Sequence, residues 1–272
     1  MKVWFVTGSS RGLGLALVEA VLANGDAVIA TARDPQQLEH LAKKYGSDRI
    51  IAAALDVTNP DEASRVIQTA VESFGRIDIV VNNAGYAETA PIENMTLESF
   101  RAQIETNFFG VVNVTKAVLP LLRKQGFGHI LQVSSVGGRV GSPGLGAYQS
   151  AKWAVGGFST VLSREVAPFG IKVTVLEPGG MKTDWAGSSM GHGHIDEAYE
   201  ATVGAMVKAR ELASLNWSDP AKVAEAIIYI TTVDEPPTRL LLGPDTTKHA
   251  ETASRELAAS DEKWRHVTQL LI

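Results

Sequence analysis

Short runs of β-branched and other apolar residues, separated by segments long enough for helices, constrain this chain more than any other feature of its sequence. The runs are Val3 to Thr7, Ala27 to Thr31, Ile50 to Leu55, Ile77 to Val81, His129 to Val133, Ile171 to Leu176 and Arg239 to Leu242. They are nearly continuous in apolar character, the pattern of strands covered on both faces. The long intervening segments suit right-handed crossover helices. The sequence therefore predicts an α/β fold: a doubly wound, Rossmann-type parallel sheet of about seven strands flanked by helices, in one domain over 1–272. A chain of 272 residues, 45% hydrophobic, can bury one substantial core.

Helical patterns fall at about 12–24, 35–45, 60–74, 97–125 (two joined pieces), 145–168 and 220–232. Asn59 before Pro60, Thr96 followed by Ser99, and Ser218 and Asp219 before Pro220 are helix start signals. Gly46, Gly75 and Gly170 stand where a left-handed residue would stop a helix. From about 179 to 216 the sheet pattern lapses, and a mobile substrate loop followed by a short helix is expected. Residues 246–272 read as an appended amphipathic helix with Leu257, Trp264, Val267 and Leu270.

A formal charge of -5 with no Lys/Arg run gives no footprint for nucleic acid or an anionic membrane. The absence of cysteine excludes disulfides, thiol catalysis and a Cys-ligated zinc. No apolar run approaches the roughly 20 residues that span a bilayer. The chain opens directly on a strand pattern, without the form of a signal peptide, so a cytoplasmic protein is expected. His192 and His194 lack further ligands at useful spacing, and no metal site is expected.

The string TGSSRGLG sits where the first strand turns into the first helix. There Gly8 suits a tight turn, Gly12 lets backbone approach a phosphate, and Gly14 lets the helix lie close to the sheet. Exposed amides around Ser10, Arg11 and Leu13 at the helix start would face a pyrophosphate. Farther along, Tyr148 and Lys152 are four apart in a predicted helix, so both project from one face. An ammonium beside a phenol stabilises phenolate and draws its pKa from about 10 toward neutrality, where a general acid/base works best. Ser134 and Ser135 follow the fifth strand, at the sheet edge where ligands bind in such folds. Asn107 interrupts a long helical stretch, where asparagine marks a cap or a bend.

Together these residues resemble the short-chain dehydrogenase/reductase family, whose glycine motif is matched by Thr7, Gly8, Gly12 and Gly14. The resemblance covers most of the chain and implies roles for further residues. Asp56 and Val57 would contact adenine, and Asn82, Asn83, Ala84 and Gly85 would hold the sheet edge and line the cofactor site. Pro178, Gly179 and Thr183 would bind the nicotinamide and pyrophosphate end, with Met181 offering backbone groups to the carboxamide. Ser135, thirteen residues before the tyrosine, would be the catalytic serine and bond the substrate oxygen, leaving Ser134 as a turn hydroxyl. Lys152 would also bind cofactor ribose, and Asn107 would bend its helix and hold water in a proton relay to Lys152.

The function so implied is NADP(H)-dependent interconversion of a ketone or aldehyde with an alcohol, by hydride transfer with Tyr148 as general acid/base. NADP(H) is preferred because Thr31 replaces the acid of NAD-preferring relatives, while Arg33 and Arg11 can grip a 2'-phosphate. Asp34 and the late position of Arg33 keep NAD(H) possible. Trp185, with Met181, Met190, Ile195, Tyr199 and Met206, gives the substrate loop an apolar bias, so an apolar small-molecule carbonyl or alcohol is expected. The helices near 97–125 and 145–168 resemble those that pair subunits in the family, implying a homodimer or homotetramer. A catalytically idle nucleotide-binding redox sensor of the same fold is the competing reading, disfavoured by the full set of catalytic residue types. An epimerase or dehydratase of the related extended kind is disfavoured because the larger carboxyl-terminal substrate domain is missing.

Overall fold

A computed structural model describes residues 1–183, 190–214 and 217–270. Its strands are β1 (Val3–Val6), β2 (Ala27–Ala32), β3 (Ile50–Ala54), β4 (Ile79–Asn82), β5 (Ala87–Thr89), β6 (Gly128–Val133), β7 (Ile171–Pro178), β8 (Met190–His192) and β9 (Arg239–Leu242). Its α-helices are α1 (Gly12–Ala23), α2 (Glu39–Tyr45), α3 (Pro60–Phe74), α4 (Leu97–Ile104), α5 (Gly110–Gln125), α6 (Gly146–Val166), α7 (Ala205–Ala213), α8 (Pro220–Ile230) and α9 (Thr246–Gln269).

The predicted runs form one seven-stranded parallel sheet in the order β3-β2-β1-β4-β6-β7-β9. The chain winds from β1 outward to β3, then returns across β1 to lay down β4 on its other side. That reversal opens a crevice at the carboxyl ends of β1 and β4, where ligands bind in such sheets. Alternate residues of each strand face opposite layers. Trp4, Val6 and Val28 pack with Leu17, Val18 and Val21 of α1 and Ile227 of α8. Phe5, Ile29 and Val80 pack with Ile67 of α3, Val114 and Val118 of α5, and Leu162 of α6. Burial on both sides is why the strand sequences do not alternate.

The start signals act as expected. Asn59 Oδ1 accepts from the amides of Asp61 and Glu62, Asp219 from that of Ala221, and Thr96 Oγ1 from that of Ser99. Gly75 ends α3 and Gly170 ends the turn after α6, both left-handed. The helix expected from 35 begins as a 3-10 turn, Pro35–Leu38, before α2.

One expectation needs correction. The segment predicted as a loop and short helix contains β8, which pairs in parallel with β5, as well as turns leading into α7. Three-residue strands are too short to show a period. The carboxyl-terminal helix forms as expected, as α9, and it buries only Thr246 and Ala250. Leu257, Trp264 and Val267 on it are 64%, 54% and 44% exposed, so its apolar side is not packed on the sheet. Among the described residues no helix is long and apolar enough to cross a membrane.

Candidate active site

At the carboxyl end of β1 the chain turns through Gly8, whose φ is +66°. A Cβ there would lie 2.8 Å from Ala84 Cα, so the turn and the strand-four motif are in backbone contact. Thr7 Oγ1 accepts from the amides of Asn83 (2.9 Å) and Ala84 (3.0 Å), and Asn83 Nδ2 donates to the carbonyls of Thr7 and Gly8. The Asn83 side chain therefore fixes the glycine turn. At Gly14 a Cβ would overlap the Gly8 carbonyl oxygen and the Asn83 amide, so α1 can sit this close only without a side chain there. Gly12, with φ at +56°, faces Thr183 across the crevice; a Cβ on it would lie 3.5 Å from Thr183 Cβ. Arg11 precedes α1 in an extended conformation without its side chain capping the helix, and the first turn of α1 holds no acid. The positive helix end is therefore not neutralised by an acid of its own first turn.

At the adenine end expected from the resemblance, Asp56 Oδ1 accepts from the Thr58 amide and hydroxyl, which sets the carboxylate's direction. Val57 is buried against Gly110. Thr31 turns its hydroxyl into the sheet, donating to the Val6 carbonyl at 3.2 Å. Arg33, just beyond β2, is exposed. Asp34 is engaged locally, its carboxylate accepting from the Gln36 amide to cap the 3-10 turn.

Asn107 lies in a π turn, Glu105–Phe109, between α4 and α5. The widened turn suits the Asn107 side chain. Its Nδ2 donates to the Gln103 carbonyl one turn back and to the Tyr86 carbonyl, both at 2.8 Å, while Oδ1 accepts from the Tyr86 amide at 3.2 Å. The helical stretch is interrupted here by a π turn rather than running on as a regular α-helix. Both amide donors are engaged, leaving one lone pair of Oδ1 for a water. A Cβ on Gly85 would fall 2.5 Å from that oxygen and 3.6 Å from Lys152 Nζ, so Gly85 leaves the space in which the two groups meet.

Tyr148 and Lys152 share a face of α6, and both are buried. Lys152 Nζ donates to the Val133 carbonyl at 2.8 Å and lies 5.6 Å from the centre of the Tyr148 ring. Burial pushes the ammonium down to about 8. Burial also pushes the Tyr148 phenol up to about 12, opposed by its hydrogen bond to Ser135 and by the Arg210 charge. The expected lowering of the phenol by Lys152 is thus overturned: desolvation dominates, and the cation that opposes it is Arg210. Ser135 Oγ also accepts from the Gly137 amide at 3.0 Å. Ser134 instead donates to the Lys152 carbonyl at 3.1 Å and is buried.

After β7, Gly179 donates its amide to the Leu242 carbonyl. The Ser218 amide donates to the Gly180 carbonyl and the Lys182 amide to the Ser218 carbonyl, both at 2.9 Å, pinning this turn. Glu177, buried at the end of β7, accepts from Arg139 Nε and Arg239 Nε at 2.7 and 2.8 Å, which anchors the Pro178 turn from beneath. Met181 packs on the sheet core, and its carbonyl accepts from the Thr183 amide. Trp185 lies outside the described residues. Met190 and Met206 line a small pocket with Leu145, Pro143 and Trp217, whereas Tyr199 bonds Glu93 at the surface. Arg210, on α7, lines this pocket too. Sequence reasoning missed it, because one arginine on a short helix carries no motif.

The acid-free first turn of α1, the side-chain-free glycine cradle and the polar cluster of Ser135, Tyr148 and Lys152 fit a dinucleotide lying across the crevice. This combination defines an α/β enzyme of the Rossmann class. The family model described as short chain dehydrogenase matches residues 2–191. Oxidoreductase BOA17 of Botryotinia fuckeliana (strain B05.10) is 57% identical over 268 residues, covering 98% of each chain. A solved short-chain dehydrogenase from Streptomyces avermitilis superposes with a TM-score of 0.92 at 36% identity over 100% of both chains. An alcohol dehydrogenase from the archaeon Thermococcus sibiricus, complexed with 5-hydroxy-NADP, gives 0.74 at 28% identity over 89% of this chain and 96% of the other. The chain belongs to the short-chain dehydrogenase family and is an oxidoreductase.

Proposed function

We propose that the protein interconverts a ketone or aldehyde with an alcohol, using NADP(H) in preference to NAD(H), with Tyr148 handling the proton. The observation that carries this reading is the hydrogen-bonded pair of Tyr148 and Ser135 at the carboxyl edge of the sheet, with the phenol held protonated by burial. When bound, the nicotinamide supplies or accepts the hydride. In reduction, Tyr148 donates its proton to the substrate oxygen while Ser135 donates a hydrogen bond to the same atom. Both interactions strengthen as negative charge grows on that oxygen, so they stabilise the transition state more than the bound ketone. Lys152, held by the Val133 carbonyl, would offer its remaining donors to a ribose hydroxyl of the cofactor. Asn107 fixes Tyr86 and offers Oδ1 to a water that returns a proton through Lys152.

The cofactor preference is supported by Arg11 at the glycine turn and Arg33 exposed beyond β2. Thr31 offers no carboxylate there, and Asp34 is engaged as a cap. The Thermococcus sibiricus alcohol dehydrogenase, complexed with 5-hydroxy-NADP, supports use of a nicotinamide dinucleotide. A homo-oligomer built on α4 to α6 is supported by Phe109, Trp153 and Val161, all exposed on that side. The test is a panel of ketones and alcohols followed by nicotinamide absorbance with each cofactor. Turnover with NADPH at higher kcat/KM than with NADH is expected, and Arg33→Ala should lower the NADPH value by about tenfold or more. Equal efficiencies unchanged by Arg33→Ala would contradict the cofactor assignment, and no turnover of any carbonyl would contradict the reaction.

A further inference from the structure

We propose that the projecting part of α9 is a coiled-coil arm that pairs antiparallel with α9 of a second copy of this chain, an interface separate from the α4 to α6 side. From Glu251 to Gln269 every residue of the helix is exposed apart from the half-buried Ala253. Only Thr246 and Ala250, at its root, are buried. A helix in water owes most of its stability to what its apolar side packs on, so an arm of this length calls for a partner. The apolar side has the form of a seam. Ala250, Ala253, Leu257, Ser260, Trp264 and Val267 follow one another at steps of three and four, the a and d positions of a heptad. Ala250 packs on the domain, so the free seam continues the line along which the root is already buried. Arg265 and Glu262 pair with each other on the side away from it.

Charge and size select the occupant. Glu256 and Lys263 flank the seam on one side, Ser254 and Asp261 on the other. Among the described residues neither Glu256 nor Lys263 has an ion pair within its own chain. In an antiparallel pair with Ala253 opposite the partner's Trp264, a small side chain meets the largest one. Leu257 then meets the partner's Ser260, Glu256 meets the partner's Lys263, and two-fold symmetry repeats each contact. Sliding the pair by one heptad sets Glu256 against Glu256 or Lys263 against Lys263, and a parallel pair sets Glu256 against Asp261. The first arrangement alone is free of these like-charge contacts. A lipid surface fits less well, because between Glu251 and Leu270 four carboxylates meet three Lys or Arg side chains, which leaves no basic face for anionic lipid.

The test is sedimentation equilibrium of the full chain at micromolar concentration. Wild type should have twice the mass of the Leu257→Asp/Trp264→Asp variant, whose dissociation constant for this step should rise about a hundredfold or more. Both positions are exposed, so the domain should stay folded, which cooperative urea unfolding would show. Glu256→Lys and Lys263→Glu should each weaken pairing by about tenfold, and mixing the two variants, or joining both changes in one chain, should restore it. Equal masses for wild type and the Leu257→Asp/Trp264→Asp variant would overturn the proposal. So would charge variants that fail to rescue one another, or tighter association of Glu256→Lys, the result of a parallel pair. Wild type that stays at the variant's mass yet binds phosphatidylserine vesicles through Trp264 would assign the seam to a membrane instead, and would overturn it too.

Discussion

Lys152 shows how a single residue ties burial to function. Desolvation brings its ammonium down to about 8, so above that pH the free enzyme loses a positive charge from the cofactor crevice. Since kcat/KM reports groups of the free enzyme, kcat/KM for NADPH should be flat below pH 8 and fall about tenfold per unit above it. Lys152→Met should show a low value with no such break, and a wild-type profile flat to pH 10 would contradict the assignment. The Tyr148 phenol, pushed up to about 12, stays protonated across this range and cannot cause the break. At this scale the sequence is informative where chemistry demands a residue type at a fixed spacing, as with Gly8, Gly14, Tyr148 and Lys152. It is silent on Arg210, whose charge reaches the Tyr148 phenol only through the fold. It also misjudges the phenol, because burial is not visible in a four-residue spacing.

Among the elements, the π turn between α4 and α5 joins helix geometry to the site. The Asn107 side chain, itself buried, accepts from the Tyr86 amide and donates to the Tyr86 and Gln103 carbonyls. Asn107→Leu should strand these groups at a cost of about 2–5 kcal/mol and displace Gly85 from Lys152. Urea unfolding of the variant should show the lower midpoint, while stability within about 0.5 kcal/mol of wild type would mean the asparagine is not the clamp. Elements with a long period were legible: the seven sheet strands, and α3 with its Asn59 cap and Gly75 stop. The β5 and β8 pair was not, since three residues carry no period and parallel pairing joins segments about a hundred positions apart. The position of α9 was likewise hidden, because an amphipathic pattern does not say what its apolar side will meet.

For the whole molecule, acid stability is set in part by His129, buried between β6 and its neighbours. Thr174 Oγ1 gives its hydrogen to the Pro237 carbonyl, so His129 Nε2 donates to Thr174 and the ring is neutral. Burial, with Lys172 and Lys2 nearby, lowers it from 6.5 to about 4. The unfolded chain binds this proton below about 6.5 while the folded protein does not until about 4, so stability falls as pH drops through that window. Between pH 7 and 5 the loss from this group is about 2 kcal/mol, which urea unfolding should resolve and His129→Gln should remove. An equal loss in wild type and variant would contradict it. The assembled sheet, crevice and α6 converge on one chemical claim, that the Tyr148 proton enters the reaction. The most direct measurement is NADPH oxidation by wild type and Tyr148→Phe on the best carbonyl substrate, with folding and NADPH affinity verified for both. The account predicts a loss of roughly two to four orders of magnitude in kcat, and rates within a factor of about two would contradict it.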